Sequence, residues 1–316
     1  MKFFTKNKKA PGWMAVCVMG GGIYAAHVTR MLSARPVVEL HSFYFAGTTS
    51  GEAALEKLSK ELHANRYQCT TLLNSSEYQL LSVDAPNVPP GELKAAMRWR
   101  VKDMIDYHID DATIDVLDVP VEKNTPVRTH SMYAVAARNQ LIGQRQALFE
   151  NARIPLSAID IPEMAQRNIS ALLEPHDRGV ALLFFSQDGG LLTVTFGGEL
   201  YLSRRLDVTI SQLRDGDAQQ RRALYDRITL ELQRSLDHLD RQHHFIILSK
   251  LVLGPLGNKD PGLREYLAAN LYIPVEPLDL DMVLDLTRAP ELKSSELQQR
   301  YFLTLGAALR HEEKAL

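Results

Sequence analysis

The stretch WMAVCVMGGGIYAAHV, residues 13 to 28, places Gly20, Gly21 and Gly22 directly after an apolar run. A strand followed by a glycine turn is a common cradle for phosphate, because backbone N–H groups reach the anion with no Cβ in the way. This turn has no Lys, Ser, Thr or acidic residue beside it, which leaves backbone donors alone to hold an anion. A second glycine turn, Asp188-Gly189-Gly190, follows an apolar run ending in Phe184, Phe185 and Ser186. A third candidate loop contains Gly254-Pro255, where proline removes one donor and stiffens the chain. Other groupings read more plainly. Asp103, Asp106, Asp110, Asp111 and His108 form a solvated helix end rather than a metal site. Asp237 and Asp240 share a helix face with Arg234 and Arg241, which neutralise them. His243 and His244 are adjacent and cannot converge on one metal along a helix. No Ser-His-Asp or Cys-His set has a supporting motif around it.

These residues need elements to carry them. Residues 13 to 19, 23 to 31 and 37 to 45 read as three successive strands. Leu55, Leu58 and Leu62 then switch to helical spacing, with Thr48, Thr49 and Ser50 available as caps. Residues 67 to 73 return to strand. The second half repeats the plan: strands at 179 to 185, 191 to 196 and 199 to 206, a helix near 217 to 242, and a strand at 245 to 254. Leu224, Ile228, Leu232, Leu236 and Leu239 mark one face of that helix. Between the halves, residues 75 to 155 read strand, helix, strand, strand, helix. The first of these helices, expected over 90 to 107, sets Leu93, Met97, Val101 and Met104 on one side. A helix over 160 to 173 completes the first half.

Bulk properties narrow the function. The chain has 316 residues, of which 45% are hydrophobic, enough for about two domains with real cores. Its 36 basic and 38 acidic residues leave a formal charge of −2, which argues against a nucleic-acid binder working by bulk electrostatics. Cys17 and Cys69 sit in apolar runs and read as buried free thiols. Lys2, Lys6, Lys8 and Lys9 precede the apolar stretch, but Gly20 to Gly22 interrupt it, so residues 1 to 12 read as a flexible tail rather than a secretory leader.

Duplicated three-strand-plus-helix halves with an insertion in the first are the plan of the actin-like (ribonuclease H-like) α/β fold. The residues extend the likeness. The helix from Pro89 to Trp99, residues 136 to 166, the Gly198 to Arg204 hairpin, the ELQRSLDHLDRQ helix, residues 251 to 280 and FLTLGAALR each resemble segments of the PilM-like proteins of type IV pilus assembly, in order. Within that family, the length and the eroded motifs are most similar to the branch serving mannose-sensitive haemagglutinin (MSHA) pili. The resemblance implies a first lobe at 13–178 with an inserted subdomain at about 75–155, and a second lobe at 179–316. A C-terminal helix at about 295–311 would return to the first lobe.

The resemblance also implies a nucleotide site, ATP or ADP with Mg²⁺, held between the lobes by two hairpins and an adenosine loop. Cys17 stands where the first hairpin of the family carries Asp, Met19 where it carries Gly, and Tyr24 where PilM-like proteins carry Lys. A thiol is a poor ligand for hard Mg²⁺. Phe184, Phe185 and Ser186 stand where the second hairpin carries Asp-Ile-Gly; Asp188 lies in the turn, where it stabilises its own backbone. Phosphoryl transfer rests on positioning and electrostatics, so the expectation is a non-catalytic adaptor with no cofactor. The rival is an active or nucleotide-binding ATPase. The resemblance further implies a cytoplasmic protein that docks a PilN-like (MshJ-like) inner-membrane tail in a groove between the first lobe and the insertion. It implies contacts with other pilus assembly proteins, a homo-oligomer or ring, no nucleic acid, and membrane contact only through partners. Arg98, Trp99 and Arg100 are the candidate surface near that groove.

Overall fold

β1 (Trp13–Met19) is apolar along its length because both of its faces are covered. Side chains alternate across a strand. Met14 and Val16 pack on one face with Leu55, Leu58 and Phe149, while Ala15 and Cys17 pack on the other with Phe302 and Leu305. The computed structural model describes residues 9–31, 34–46, 51–121, 131–258 and 262–311. In it β1 is the middle strand of a five-stranded sheet. β2 (Gly22–Thr29) and β3 (Val37–Phe45) continue the antiparallel meander. The helix α1 (Gly51–Glu61) leads to β4 (Gln68–Leu72), parallel to β1 on its other side.

Residues 1–8 of the expected tail, and the expected caps Thr48, Thr49 and Ser50, lie outside the described residues. Residues 9–12 are not loose. The Ala10 N–H donates to the Arg66 carbonyl at 2.8 Å, and the Lys9 ammonium to the Tyr67 carbonyl at 2.8 Å. Gly12 permits this close run: its φ is +82°, and a Cβ there would lie 2.1 Å from the Val28 carbonyl oxygen.

The chain then leaves the lobe. β5 (Tyr78–Asp84), α2 (Leu93–Val101), β6 (Ala112–Asp118) and β7 (Ser131–Arg138) build a separate antiparallel sheet ordered β5-β7-β6, with α2 against it through Met97 and Val101. α2 is shorter than the 90 to 107 span its periodicity predicts, and Met104 is exposed. The chain turns back after Val101, and the Arg98 guanidinium holds the turn by donating to the carbonyls of Ile109 and Ala112. α3 (Asn139–Asn151) joins the two units, with Leu141 and Ile142 packed towards the insertion and Phe149 in the first-lobe core. β8 (Leu156–Asp160) completes the first sheet, ordered β3-β2-β1-β4-β8. Pro162 opens α4 (Pro162–Ser170) at a position that needs no N–H.

The second lobe repeats the plan with β9 (Gly179–Phe185), β10 (Gly190–Phe196) and β11 (Glu199–Leu206). The short α5 (Ile210–Asp215) and the long α6 (Ala218–Gln242) each start with a capping box, Thr209 with Gln212 and Asp217 with Gln220. Ile228, Leu232, Leu236 and Leu239 bury the inner face of α6. β12 (Leu248–Leu253) begins three residues later than expected, because a turn from His243 to Ile246 follows α6. α7 (Leu263–Asn270) and β13 (Val275–Pro277) close a sheet ordered β11-β10-β9-β12-β13.

α8 (Ser295–Ala308) lies against α4 and the first sheet. Gly306 lets the two helices touch: a Cβ there would sit 2.2 Å from the Ala165 carbonyl oxygen. One apolar cluster runs through α4, α8, β1, β9 and β12, so the lobes share a core. Among the described residues no helix is long and apolar enough to cross a membrane.

Candidate functional site

The two hairpin turns fold for local reasons. Gly20 and Gly21 have φ of +55° and +77°, the pair of positive values that a two-residue hairpin turn of the primed type requires. A Cβ on either would meet nothing within 4 Å, so the turn stands open. Gly22 serves packing instead: a Cβ there would lie 2.3 Å from the Phe43 ring. In the second turn, Gly189 has φ +130° and lies against the Leu206 carbonyl, while Gly190 lies against the Phe185 ring. Ser186 ties this turn together. Its N–H and hydroxyl both donate to the Gly189 carbonyl, and its hydroxyl accepts the Asp188 N–H at 3.1 Å. Asp188 itself is exposed.

Behind the turns the strand ends are apolar. Cys17 is fully buried, and burial pushes its thiol up to about 12. Phe184 is 3% exposed and stacks on Phe302, with ring centroids 4.1 Å apart and planes 22° from parallel. Met19 packs against the same cluster, half-buried. Tyr24 meets the Tyr301 ring edge-on at 5.2 Å. The third loop joins them: the Gly254 N–H donates to the Leu183 carbonyl at 2.8 Å, a Cβ on Gly254 would lie 2.9 Å from Phe184, and Pro255 is buried. The structure thus gathers Cys17, Met19, Phe184, Gly254 and Pro255 around one apolar centre. It leaves Gly20, Gly21 and Asp188 at the outer turns. Phe302 and Tyr301, from α8, are the site residues that sequence reasoning missed. Their only signal was an aromatic pair in a C-terminal helix.

Polar bonds cross between the lobes around this centre. The Gln166 amide donates to the Leu182 carbonyl at 2.8 Å and to the Thr193 hydroxyl at 2.9 Å. Asn168 donates to the Gly306 carbonyl, while within the second lobe Gln299 of α8 donates to the Phe185 carbonyl. Buried Asp160 pairs with Arg310 at 2.6 Å; desolvation raises its carboxyl, and Arg310 works against that rise. A buried polar group without such partners would destabilise the fold.

A second site lies where the insertion meets the second lobe. Glu163, fully buried in the first turn of α4, accepts from the Tyr78 hydroxyl and from Arg205 at 3.0 Å. Arg205 also donates to the Tyr78 hydroxyl and to the Ser75 carbonyl. Burial and the adjoining Glu163 carboxylate push the Tyr78 hydroxyl well above its ordinary range, which keeps it a proton donor. This triad joins the insertion, the first lobe and the second lobe. Beside it opens a groove of about 810 Å³ between β5 and β11, lined by neither hairpin turn.

The expected partner surface is only partly available. Arg98 is spent on bracing its own loop, as described above, and faces Asp110 at 3.5 Å. Trp99 is 73% exposed, with the Lys102 ammonium 5.2 Å from its ring centre, and Arg100 is exposed too. Among the described residues no group of three His, Cys, Asp or Glu side chains is placed to hold a metal.

No protein-family model and no curated protein sequence matches the chain. Solved structures do. A chain of the PilM–PilN type IV pilus biogenesis complex superposes with a TM-score of 0.72 at 19% identity, covering 94% of this chain and 98% of that one. A Bacteroides thetaiotaomicron protein with an actin-like ATPase fold and unknown function is similar over 92% of this chain and 98% of its own, with a TM-score of 0.49 at 10% identity. The ethanolamine utilization protein EutJ of Carboxydothermus hydrogenoformans covers 96% of this chain and 91% of its own, at 0.45 and 10%. The duplicated strand order, the insertion between β4 and β8 and the superposition over nearly the whole chain make this an actin-like fold of the kind found in the PilM–PilN complex.

Proposed function

We propose that the protein is a non-catalytic, cytoplasmic actin-like adaptor in assembly of a type IV pilus of the MSHA type, the counterpart of MshI. In this reading it docks the cytoplasmic tail of a PilN-like (MshJ-like) inner-membrane protein and reaches the membrane through it. The stack of Phe184 on Phe302 over buried Cys17 carries the non-catalytic part. Rings and a protonated thiol occupy the strand ends where an actin-like ATPase would order Mg²⁺ and water, and neither can replace an oxygen ligand. The adaptor part is supported by the likeness to a chain of the PilM–PilN type IV pilus biogenesis complex.

Two measurements on the full chain test it. Mg-ATP should produce no hydrolysis above the protein-free rate and no shift of the unfolding temperature. Hydrolysis that depends on Mg²⁺ and disappears in Gly20→Ala would establish the ATPase reading instead; a thermal shift without turnover would favour nucleotide binding without hydrolysis. A synthetic PilN-like tail should bind the full chain in fluorescence anisotropy, and a scrambled tail should not.

A further inference from the structure

The groove between the insertion and the second lobe has walls of an unusual kind. Residues 79 to 82 of β5 line it consecutively, and so do residues 201 to 205 of β11. Side chains alternate between the two faces of a strand. A consecutive run along one wall therefore means that the wall is the strand's edge. The sheet orders agree: β5 is the outer strand of the inserted sheet, and β11 the outer strand of the second-lobe sheet. Among the described residues no further strand pairs with either edge, so each carries a row of N–H and C=O groups without a ladder partner.

The two edges run antiparallel along the groove. Arg205, near the end of β11, reaches the hydroxyl of Tyr78 at the start of β5. Tyr133, cross-strand from Ser82, donates its hydroxyl to the Tyr201 carbonyl at 3.2 Å. At Tyr201 the pairing of β11 with β10 slips by one residue, and this bulge is where Tyr133 covers the edge. The Gln79 side-chain oxygen is buried on the β5 wall without a hydrogen-bond partner. A volume of about 810 Å³ falls in the range of occupied clefts, roughly 300 to 1,000 Å³.

The charge of the lining is positive on balance. Arg204, Arg205, Arg234 and Arg241 line the groove against two carboxylates, Glu163 and Glu231. Glu163 is taken by Arg205, and Glu231 is shared between Arg204 and Arg234. The expected neutralisation of Asp237 and Asp240 by Arg234 and Arg241 is not what the structure shows: Arg234 pairs with Glu231, and Arg241 donates to the backbone carbonyl of Asp237, with no ion pair to a carboxylate among the described residues.

We propose that this groove is a docking site for an extended, acidic peptide segment of a partner protein, which adds as a strand along the facing edges of β5 and β11. Main-chain edges select an extended backbone, and the arginines select Asp or Glu on its side chains. The site is separate from the tail groove of the adaptor reading, which lies between the first lobe and the insertion, so the two stand or fall independently.

A library of random peptides about eight residues long, the length of a typical strand, panned on the full chain at low salt supplies the probe. The recovered peptide is then made with a fluorescent label. Recovered sequences should carry acidic residues at alternate positions. Binding should slow amide exchange in both 78–84 and 199–206. The double variant Arg234→Glu/Arg241→Glu should weaken it by about tenfold or more. Both arginines are exposed on α6, and an unchanged unfolding temperature shows that the variant is folded. A PilN-like tail should not compete. Failure to recover any acidic peptide, undiminished affinity in the double variant, absence of protection in either strand, or displacement by the tail would each overturn the assignment.

Discussion

Under the hairpins, the lobes meet through Cys17, Phe184 and Phe302, all closed to solvent. Where the second lobe meets the insertion, they meet through Tyr78, Glu163 and Arg205 beside an open groove. The first seam is apolar, non-directional and buried; an anion entering it would lose its hydration with few donors in return. The second is directional: each group is held by a specific partner, and an open groove lined by polar and charged residues lies beside it. The first seam belongs to the apolar core that the lobes share, and the accessible charge lies in the groove at the second.

Phe302→Ala attacks this contrast hardest. It should remove about 3–5 kcal/mol of stability in urea unfolding, the loss typical of a buried Phe truncated in a close-packed core. A loss below about 1 kcal/mol would mean that the rings sit over a collapsible or hydrated cleft. Next comes Arg205→Met, which leaves Glu163 buried without its counter-charge. The expected loss is about 2–3 kcal/mol, below that of a fully buried pair because Arg205 is partly exposed. Glu163→Gln keeps one accepting oxygen, for Arg205, but sets an NH2 where the second oxygen accepts from Tyr78, so it should cost about 1–2 kcal/mol. The order of these two variants reports whether the second seam is held by charge or by hydrogen bonding.

The first seam also has a pH signature. Burial pushes Cys17 and Cys69 up to about 12 from an ordinary value of 9.0. Above pH 9 the unfolded chain gives up these protons and the folded chain keeps them. Stability is therefore full below pH 9 and falls as the pH rises towards 12, by about 1.4 kcal/mol per thiol per pH unit. Urea titrations from pH 8 to 10.5 should show that fall, and Cys17→Ala should make it shallower. A thiol facing an open cleft would show no such slope. Smaller again is Gly20→Ala. Nothing lies near the added methyl, so the cost is the left-handed backbone alone, about 1 kcal/mol. Trp99→Ala should change stability by less than about 0.5 kcal/mol, which would leave that side chain for surface contacts.

Much of the scaffold was legible from local pattern. The strands at 37 to 45, 179 to 185 and 199 to 206 have the bounds their alternation and apolar runs predict. The long helix near 217 to 242 announces itself through the four-residue spacing of Leu224, Ile228, Leu232 and Leu236. Positive φ at Gly20 and Gly21 follows from a two-residue turn between apolar runs. Local pattern misled at two places: α2 stops short where Arg98 bonds the carbonyls of Ile109 and Ala112 in a later turn, and β12 starts late because a turn from His243 to Ile246 follows α6.

By itself, the sequence determined the alternation, the helix faces, the duplicated order of elements and the lack of an acid at the ends of the two strands that lead into the hairpins, because each depends on residues near one another in the chain. Only the tertiary structure decided what fills the interlobe seam and what lines the groove. The Phe184–Phe302 stack, the Tyr78–Glu163–Arg205 triad and the facing edges of β5 and β11 each join segments far apart in sequence. Which side chain closes which space is set by packing across those distances, and no local periodicity records it.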